Sequence, residues 1–254
     1  MVTVGGSSSL SHPDFDPITA QSAAAITDVR ANRTTKDRSM SFELYYHPLA
    51  SYCWKALIAL YEAEVPFEKH LVDLGNPKQR ASFLELAPLG KFPLLRDSER
   101  NHCVPESSIV IEYLALHAPS AARLFPSSPA LLLEARARDR FFDLYVMEPM
   151  AKIIDDKLRA ESERDPRGVA DAHARLDTAY AIAERFLGED GWAVGSDFSL
   201  ADCSAAPALF YANKVHPLTA ALPRCRSYLE RLEARPSFAR VLREAEPFMS
   251  MFPG

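Results

Sequence analysis

Residues 42–64, FELYYHPLASYCWKALIALYEAE, leave few options for how this chain can begin to fold. Phe42, Leu44 and Tyr46 alternate with Glu43 and Tyr45, the period-two pattern of a half-buried strand. After a short loop containing Pro48, Trp54, Leu57, Ile58 and Tyr61 recur at i, i+3, i+4 and i+7, which sets them on one stripe of a helix. The strand therefore delivers Ser51, Tyr52 and Cys53 to a helix start, where the first backbone N–H groups have no intrahelical partner. A hydroxyl and a thiol at the positive end of a helix dipole suit the holding or generation of a thiolate.

The pattern continues as alternating elements. A second strand is expected within 66–73, around Phe67 and Leu71, and a short helix over 78–86. Pro88, Gly90 and Pro93 crowd into residues 87–96, which no regular helix could absorb. Pro93 opens a third strand at Leu94–Leu95, and 102–104 pairs with it as a hairpin. Residues 106–116 read as a helix. The order strand-helix-strand-helix-strand-strand-helix is an α/β unit of about 80 residues. Three prolines mark 118–129 as a linker, after which the pattern is wholly helical to 254. A long helix over 131–160 is expected to bend at Pro149. Further helices are expected over 169–187, 199–212, 222–234 and 237–245. Ser199 with Asp202 three places on resembles a capping box, and Pro207 is expected to kink or split its helix.

Residues 1–39 are small, polar and nearly without large apolar side chains, and are expected to be a disordered extension. They lack the features of a transit or secretory signal, and Met40 would make a sensible start. A formal charge of −5 argues against general binding to nucleic acid or anionic membranes. The four cysteines, Cys53, Cys103, Cys203 and Cys225, are far apart, with no CxxC and no metal spacing, so a reducing cytoplasm and no metal are expected.

Four motifs carry a resemblance: HPLASYC at 47–53, APLGKFP at 87–93, PESS at 105–108 and FSLAD at 198–202. In this order and spacing they resemble the cytosolic glutathione transferases, with a serine-type loop similar to those of the theta, zeta and phi classes. The resemblance implies a thioredoxin-like N-terminal domain (40–117) and an all-α C-terminal domain (130–254). It also implies glutathione as co-substrate, no metal, and a homodimer that conjugates glutathione to a small hydrophobic electrophile.

It also implies roles for residues. The proline matching Pro93 is cis in the family, so Phe92 would pair through its N–H and C=O with the cysteinyl part of glutathione as an added strand. Glu106 and Ser107, at a helix start, would hold the γ-glutamyl ammonium and carboxylate. Lys91 and Lys78 fit positions that reach the glycyl carboxylate. For the sulfur, Ser51, Tyr46 and Cys53 are the candidates. Counted back from VPFE at 65–68, Ala50 stands where theta- and phi-type enzymes carry the catalytic serine, while Ser51 falls on the second hydroxyl of the zeta-type loop. Tyr46 matches the tyrosine-type classes, and Cys53 would suit a glutathione-dependent thiol oxidoreductase. A non-catalytic, glutathione-transferase-like binding or regulatory protein is the other alternative. Lowering a thiol pKa by about two units takes roughly 3 kcal/mol. One hydrogen bond to the anion supplies about 1.5–3 kcal/mol and a helix start about 0.3–1 kcal/mol. A single hydroxyl is nearly sufficient. Candidates to line the electrophile pocket are Tyr145, Met147, Met150, Phe210, Tyr211, Phe248 and Met251, of which fewer than half are expected to do so because such stripes are more often core.

Overall fold

In the computed structural model, which describes residues 41–253, strand β1 (Phe42–Tyr46) lies inside a four-stranded sheet. The extension expected at 1–39 falls outside the described residues. Strand β2 (Phe67–Leu71) pairs parallel to β1, β3 (Leu94–Asp97) pairs antiparallel on its other side, and β4 (His102–Pro105) pairs antiparallel to β3. Register puts Leu44 opposite Leu95 and Leu95 opposite Val104, and all three are buried on one face. Because strand side chains alternate, Leu94 projects to the other face, where it meets Val72, Phe83 and Ala87.

The helices divide between those faces. Helix α1 (Ser51–Glu62) and α3 (Ser107–His117) cover the first with Trp54, Leu57, Ile58, Val110, Ile111 and Leu114. Helix α2 (Pro77–Leu86) covers the second, mainly through Phe83. The element order is the expected βαβαββα of a thioredoxin-like domain, and every regular element after it is helical. Between them, the stretch expected to be plain linker contains a 3₁₀ segment, Pro119–Leu124, whose Ala121 and Leu124 are buried in the main core. A proline-rich run hid these two apolar anchors.

The long helix expected over 131–160 is three pieces: α4 (Pro129–Phe141), a π-helical stretch (Phe142–Met147) and α5 (Glu148–Leu158). Pro149 is the physical reason, since its ring has no N–H to give and crowds the carbonyl four residues back. A wider turn ahead of it relieves both problems. Helix α6 (Pro166–Phe186) starts earlier than expected because Asp165 caps it, accepting from the Gly168 N–H at 2.8 Å. Helix α7 (Leu200–Val215) opens on the expected capping box of Ser199 and Asp202, but runs unbroken through Pro207. Helices α8 (Pro223–Ala234) and α9 (Pro236–Ala245) each begin on a proline, and a 3₁₀ turn, Glu246–Met251, ends the chain's regular structure.

A charged cluster joins the two halves. Lys55 of α1 is fully buried, with Nζ 2.6 Å from Asp139 Oδ1, 2.7 Å from Asp143 Oδ2 and 2.8 Å from Ser108 Oγ. Ser204 of α7 donates to Asp143 Oδ1 at 2.8 Å, so the carboxylates are held by groups from α1, α3 and α7. Beside it, Glu62 of α1 accepts from Arg235 at 2.7 and 2.8 Å and from Ser237 at 2.6 Å. Removing one partner of a buried pair typically costs about 3–5 kcal/mol, because the other charge is left uncompensated. Lys55→Ala is expected to lose stability of that order in urea unfolding.

Cys53, Cys203 and Cys225 are buried and only Cys103 is partly exposed. Burial pushes the Cys53 thiol up to about 12, against a weaker opposing hydrogen bond at the His47 backbone. At pH 8 that leaves a thiolate fraction on the order of 10⁻⁴. Iodoacetamide at pH 8 should therefore label Cys103 and leave Cys53 unmodified in the folded protein, as read by peptide mass spectrometry. Labelling of Cys53 at a rate near that of a free thiol would contradict its burial.

Candidate functional site

The loop between β1 and α1 is held at several points. The Trp54 indole N–H donates to the Pro48 carbonyl at 2.5 Å, and the Tyr211 hydroxyl donates to the Leu49 carbonyl at 3.0 Å. The Leu49 N–H donates to His47 Nδ1 at 3.2 Å, and the Ala50 N–H to the His47 carbonyl at 3.0 Å. Burial holds the His47 pKa below the usual histidine range, with Asp73 opposing weakly, so the ring is neutral near pH 7. With Nδ1 accepting, its proton sits on Nε2.

Ala50 occupies the N-cap of α1 and has no side chain able to cap it. Its carbonyl takes the N–H groups of Cys53 and Trp54 at 2.9 and 3.2 Å. The N–H groups of Ser51 and Tyr52 have no backbone partner among the described residues. The helix start thus offers two free donors and the Ser51 hydroxyl, as the spacing predicts.

Two cavities share the lining residue Phe92, and the second also takes in His47, Leu49 and Ala50 of this loop. The first, of about 500 Å³, is lined by Lys91, Phe92, Pro93, Glu106 and Ser107, bringing together five residues expected to hold glutathione. The Phe92–Pro93 bond is cis, and Phe92's own N–H and C=O make no backbone hydrogen bond among the described residues. Glu106 has a φ of +68°, rare for a residue with a side chain, and is the N-cap of α3, so the helix begins at Ser107, one residue later than expected. The helical half adds Arg140, Asp143, Leu144 and Glu148, and α1 of the sheet half adds Tyr52. Lys78 does not line either cavity. It is exposed in the first turn of α2, where its N–H donates to the Asn76 cap at 3.0 Å.

The second cavity, of about 620 Å³, contains Ser51 and His47 at one end. Met150, Tyr211 and Met251 line it. Tyr145 does not: its side chain lies on a separate surface hollow with Phe141, Ala174, Arg175 and Ile182. Five residues at about 100° each set Tyr145 roughly 140° around the helix from Met150, on another face. Phe248 lines neither cavity. Its neighbours Met251, Phe252 and Pro253 take the place expected of it, because the tail turns as a 3₁₀ segment. Met147 is fully buried in the core, and Phe210 packs on Trp54 with ring centroids 5.3 Å apart.

The other sulfur candidates sit elsewhere. Tyr46 is half-buried at the end of β1 and lines neither cavity, while burial first, then Glu244 and Cys53, raise its pKa. Cys53 is fully buried, so a redox role would need the helix start to open. Several lining residues carry no sign of that role in the motifs. Ile154 and Leu158 follow Met150 at i+4 and i+8, a stripe that could have revealed them. Arg140 gives no local signal, since it reaches the first cavity from a helix remote in sequence.

Comparison with known proteins agrees with this geometry. Residues 50–117 match the family model for the glutathione S-transferase N-terminal domain, and 156–231 match that for the C-terminal domain. The glutathione S-transferase GstB of Escherichia coli K12 is 27% identical over 191 residues, covering 74% of this chain and 91% of that protein. A stringent starvation protein A homolog of Coxiella burnetii is 29% identical over 209 residues, covering 80% and 92%. A glutathione S-transferase of Methylobacterium radiotolerans, solved in complex with glutathione sulfonate, superposes with a TM-score of 0.70 at 28% identity, covering 79% of this chain and 93% of that one. With both domain models matched in chain order, this chain belongs to the glutathione S-transferase family.

Proposed function

We propose that the protein binds glutathione in the first cavity and transfers its thiolate to a small apolar electrophile in the second. The observation that carries this reading is Phe92, whose free backbone groups stand where the two cavities meet. The γ-glutamyl end would rest on Glu106 and Ser107, the cysteinyl part would pair with Phe92, and Lys91 would reach the glycyl carboxylate. Lys78, which lines neither cavity, is not retained in this set. The sulfur would then face Ser51 and the open N–H groups of α1. A hydroxyl hydrogen bond of about 1.5–3 kcal/mol plus the helix start accounts for a thiol pKa near 6–7. The thiolate attacks an electrophilic carbon; a C–S bond forms and the leaving group departs with its electron pair. The apolar walls of Leu49, Met150, Ile154 and Tyr211 suit an uncharged hydrophobic partner.

Glutathione bound to the wild type should show thiolate absorbance near 240 nm titrating below the free value, with conjugation to 1-chloro-2,4-dinitrobenzene. Ser51→Ala is expected to raise that thiol pKa by one to two units and to lower kcat/KM about ten- to hundredfold at pH 6.5. Full activity with an unchanged thiol pKa in the variant would remove Ser51 from the mechanism.

A second reading, a glutathione-binding regulatory protein without transfer activity, is favoured by one observation: Ala50, not a hydroxyl residue, caps α1. Tight glutathione binding with no conjugation of any tested electrophile would select it.

We also propose a cytoplasmic homodimer, with residues 118–129 linking an N-terminal domain (40–117) to a C-terminal one (130–254). Among the described residues no helix is long and apolar enough to cross a membrane. Ile109 and Leu116 of α3 and Leu131 and Leu133 of α4 are exposed, and Arg136 pairs with Glu112 at 2.8 Å between these two helices. That apolar face suits a second copy. Sedimentation velocity should give twice the chain mass, and a monomer at micromolar concentration would refute the dimer.

A further inference from the structure

The first cavity holds more charge than the expected glutathione contacts account for. Arg140 enters it from α4, and its side chain remains 54% exposed. The guanidinium is nevertheless fixed on one edge. Nε and Nη2 lie 3.3 and 3.0 Å from Asp139 Oδ2, Nη2 is 3.5 Å from Asp143 Oδ2, and Nη2 also meets Ser108 Oγ. Nη1 makes no hydrogen bond among the described residues. An arginine held by one edge with the other free has already lost much of its rotamer freedom, so binding an anion costs it little further order. Asp143, Ser107, which precedes Ser108, and Glu106 line the same cavity, and the charges of Asp143 and Glu106 act on the guanidinium.

Around Arg140 the remaining lining groups separate by sign. The N-terminus of α3 at Ser107 and the free Nη1 of Arg140 favour a carboxylate. The carboxylates of Glu106 and Glu148 favour an ammonium, and both line the same cavity; Glu148 Oε2 also lies 3.6 Å from Nη2 of Arg175, which is outside that lining. An α-amino-acid head carries both charges on one carbon.

We infer that Arg140, contributed by the helical half, binds the α-carboxylate of the ligand's amino-acid head, while Glu148 joins Glu106 on its ammonium. This rests on the glutathione reading above and adds residues that the α/β half alone does not supply. Recognition of the head therefore spans both halves. Ser108 is the hinge of the arrangement: its hydroxyl contacts Arg140 on one side and Lys55 on the other.

Isothermal titration with two ligands tests this: glutathione, and the 4-aminobutyryl-cysteinylglycine analogue, which lacks only the α-carboxylate. Wild type should bind glutathione about ten- to hundredfold more tightly than the analogue, the size of one charge-assisted contact. Arg140→Gln, which keeps a polar side chain beside Ser108, should lose that preference by weakening glutathione alone. Arg140→Lys should restore part of it. A matching Glu148→Gln should weaken glutathione while leaving the glutaryl-cysteinylglycine analogue, which lacks the ammonium, unaffected. If Arg140→Gln weakens both ligands equally, the residue is structural and the inference fails. It fails equally if the variant weakens neither. Absence of glutathione binding by the wild type would instead overturn the reading on which the inference rests. Should Arg140→Gln not fold, Arg140→Lys decides: a reduced preference for glutathione over the carboxylate-free analogue supports the inference, and a preference unchanged from the wild type refutes it.

Discussion

The rest of the structure depends on a buried lysine. Lys55 lies on the inner face of α1, has no access to solvent, and is held by Asp139, Asp143 and Ser108. A charge in that place is tolerable only with its partners present, so the α/β half and the helical half cannot part without exposing or orphaning it. Apolar packing between α1 and α7 also joins the halves, but apolar contact is non-directional. The ion cluster adds direction, fixing the rotation of α1 against α4 and thereby the placing of Ser51 and Ser107 relative to one another.

That placement passes to the ligand-facing surface in short steps. Ser108 touches Lys55 and follows Ser107, while Tyr52 donates to the Asp143 carbonyl at 3.4 Å one turn of α1 from Lys55. On the other side, Trp54 and Tyr211 hold the carbonyls of Pro48 and Leu49. The loop ahead of Ser51 is thus held from the core and from α7 together. Precision at a site comes from such supporting contacts more than from the groups that meet the ligand.

The sheet half is legible in the sequence because its signals are local. Alternation in Phe42–Tyr46, the crowding of Pro88, Gly90 and Pro93, and the capping pattern at Ser199 each report a backbone conformation within a few residues. The residues proposed to face glutathione, Phe92, Glu106 and Ser107, share that advantage. The second cavity is less legible. Its walls come from α5, α7 and the tail, and which side of α5 faces inward depends on the π-helical stretch before Pro149, which no periodicity count anticipates. Tyr145, five residues before Met150, faces another side and lines a separate hollow, and Phe248 is displaced because the tail tightens into a 3₁₀ turn. The charged cluster is invisible for a different reason: Lys55, Asp139 and Asp143 look like ordinary polar residues on helices until the halves are assembled.

Phe92 has a consequence for how such a protein can diversify. It is the party wall between two cavities with otherwise separate linings. Substitutions in Met150, Ile154, Leu158 or Met251 remodel one room without altering the furniture of the other. On the proposed reading, a lineage can change its electrophile while the handling of glutathione stays constant. Only the wall itself is shared, and the role proposed for it falls to backbone atoms that side-chain mutation does not remove.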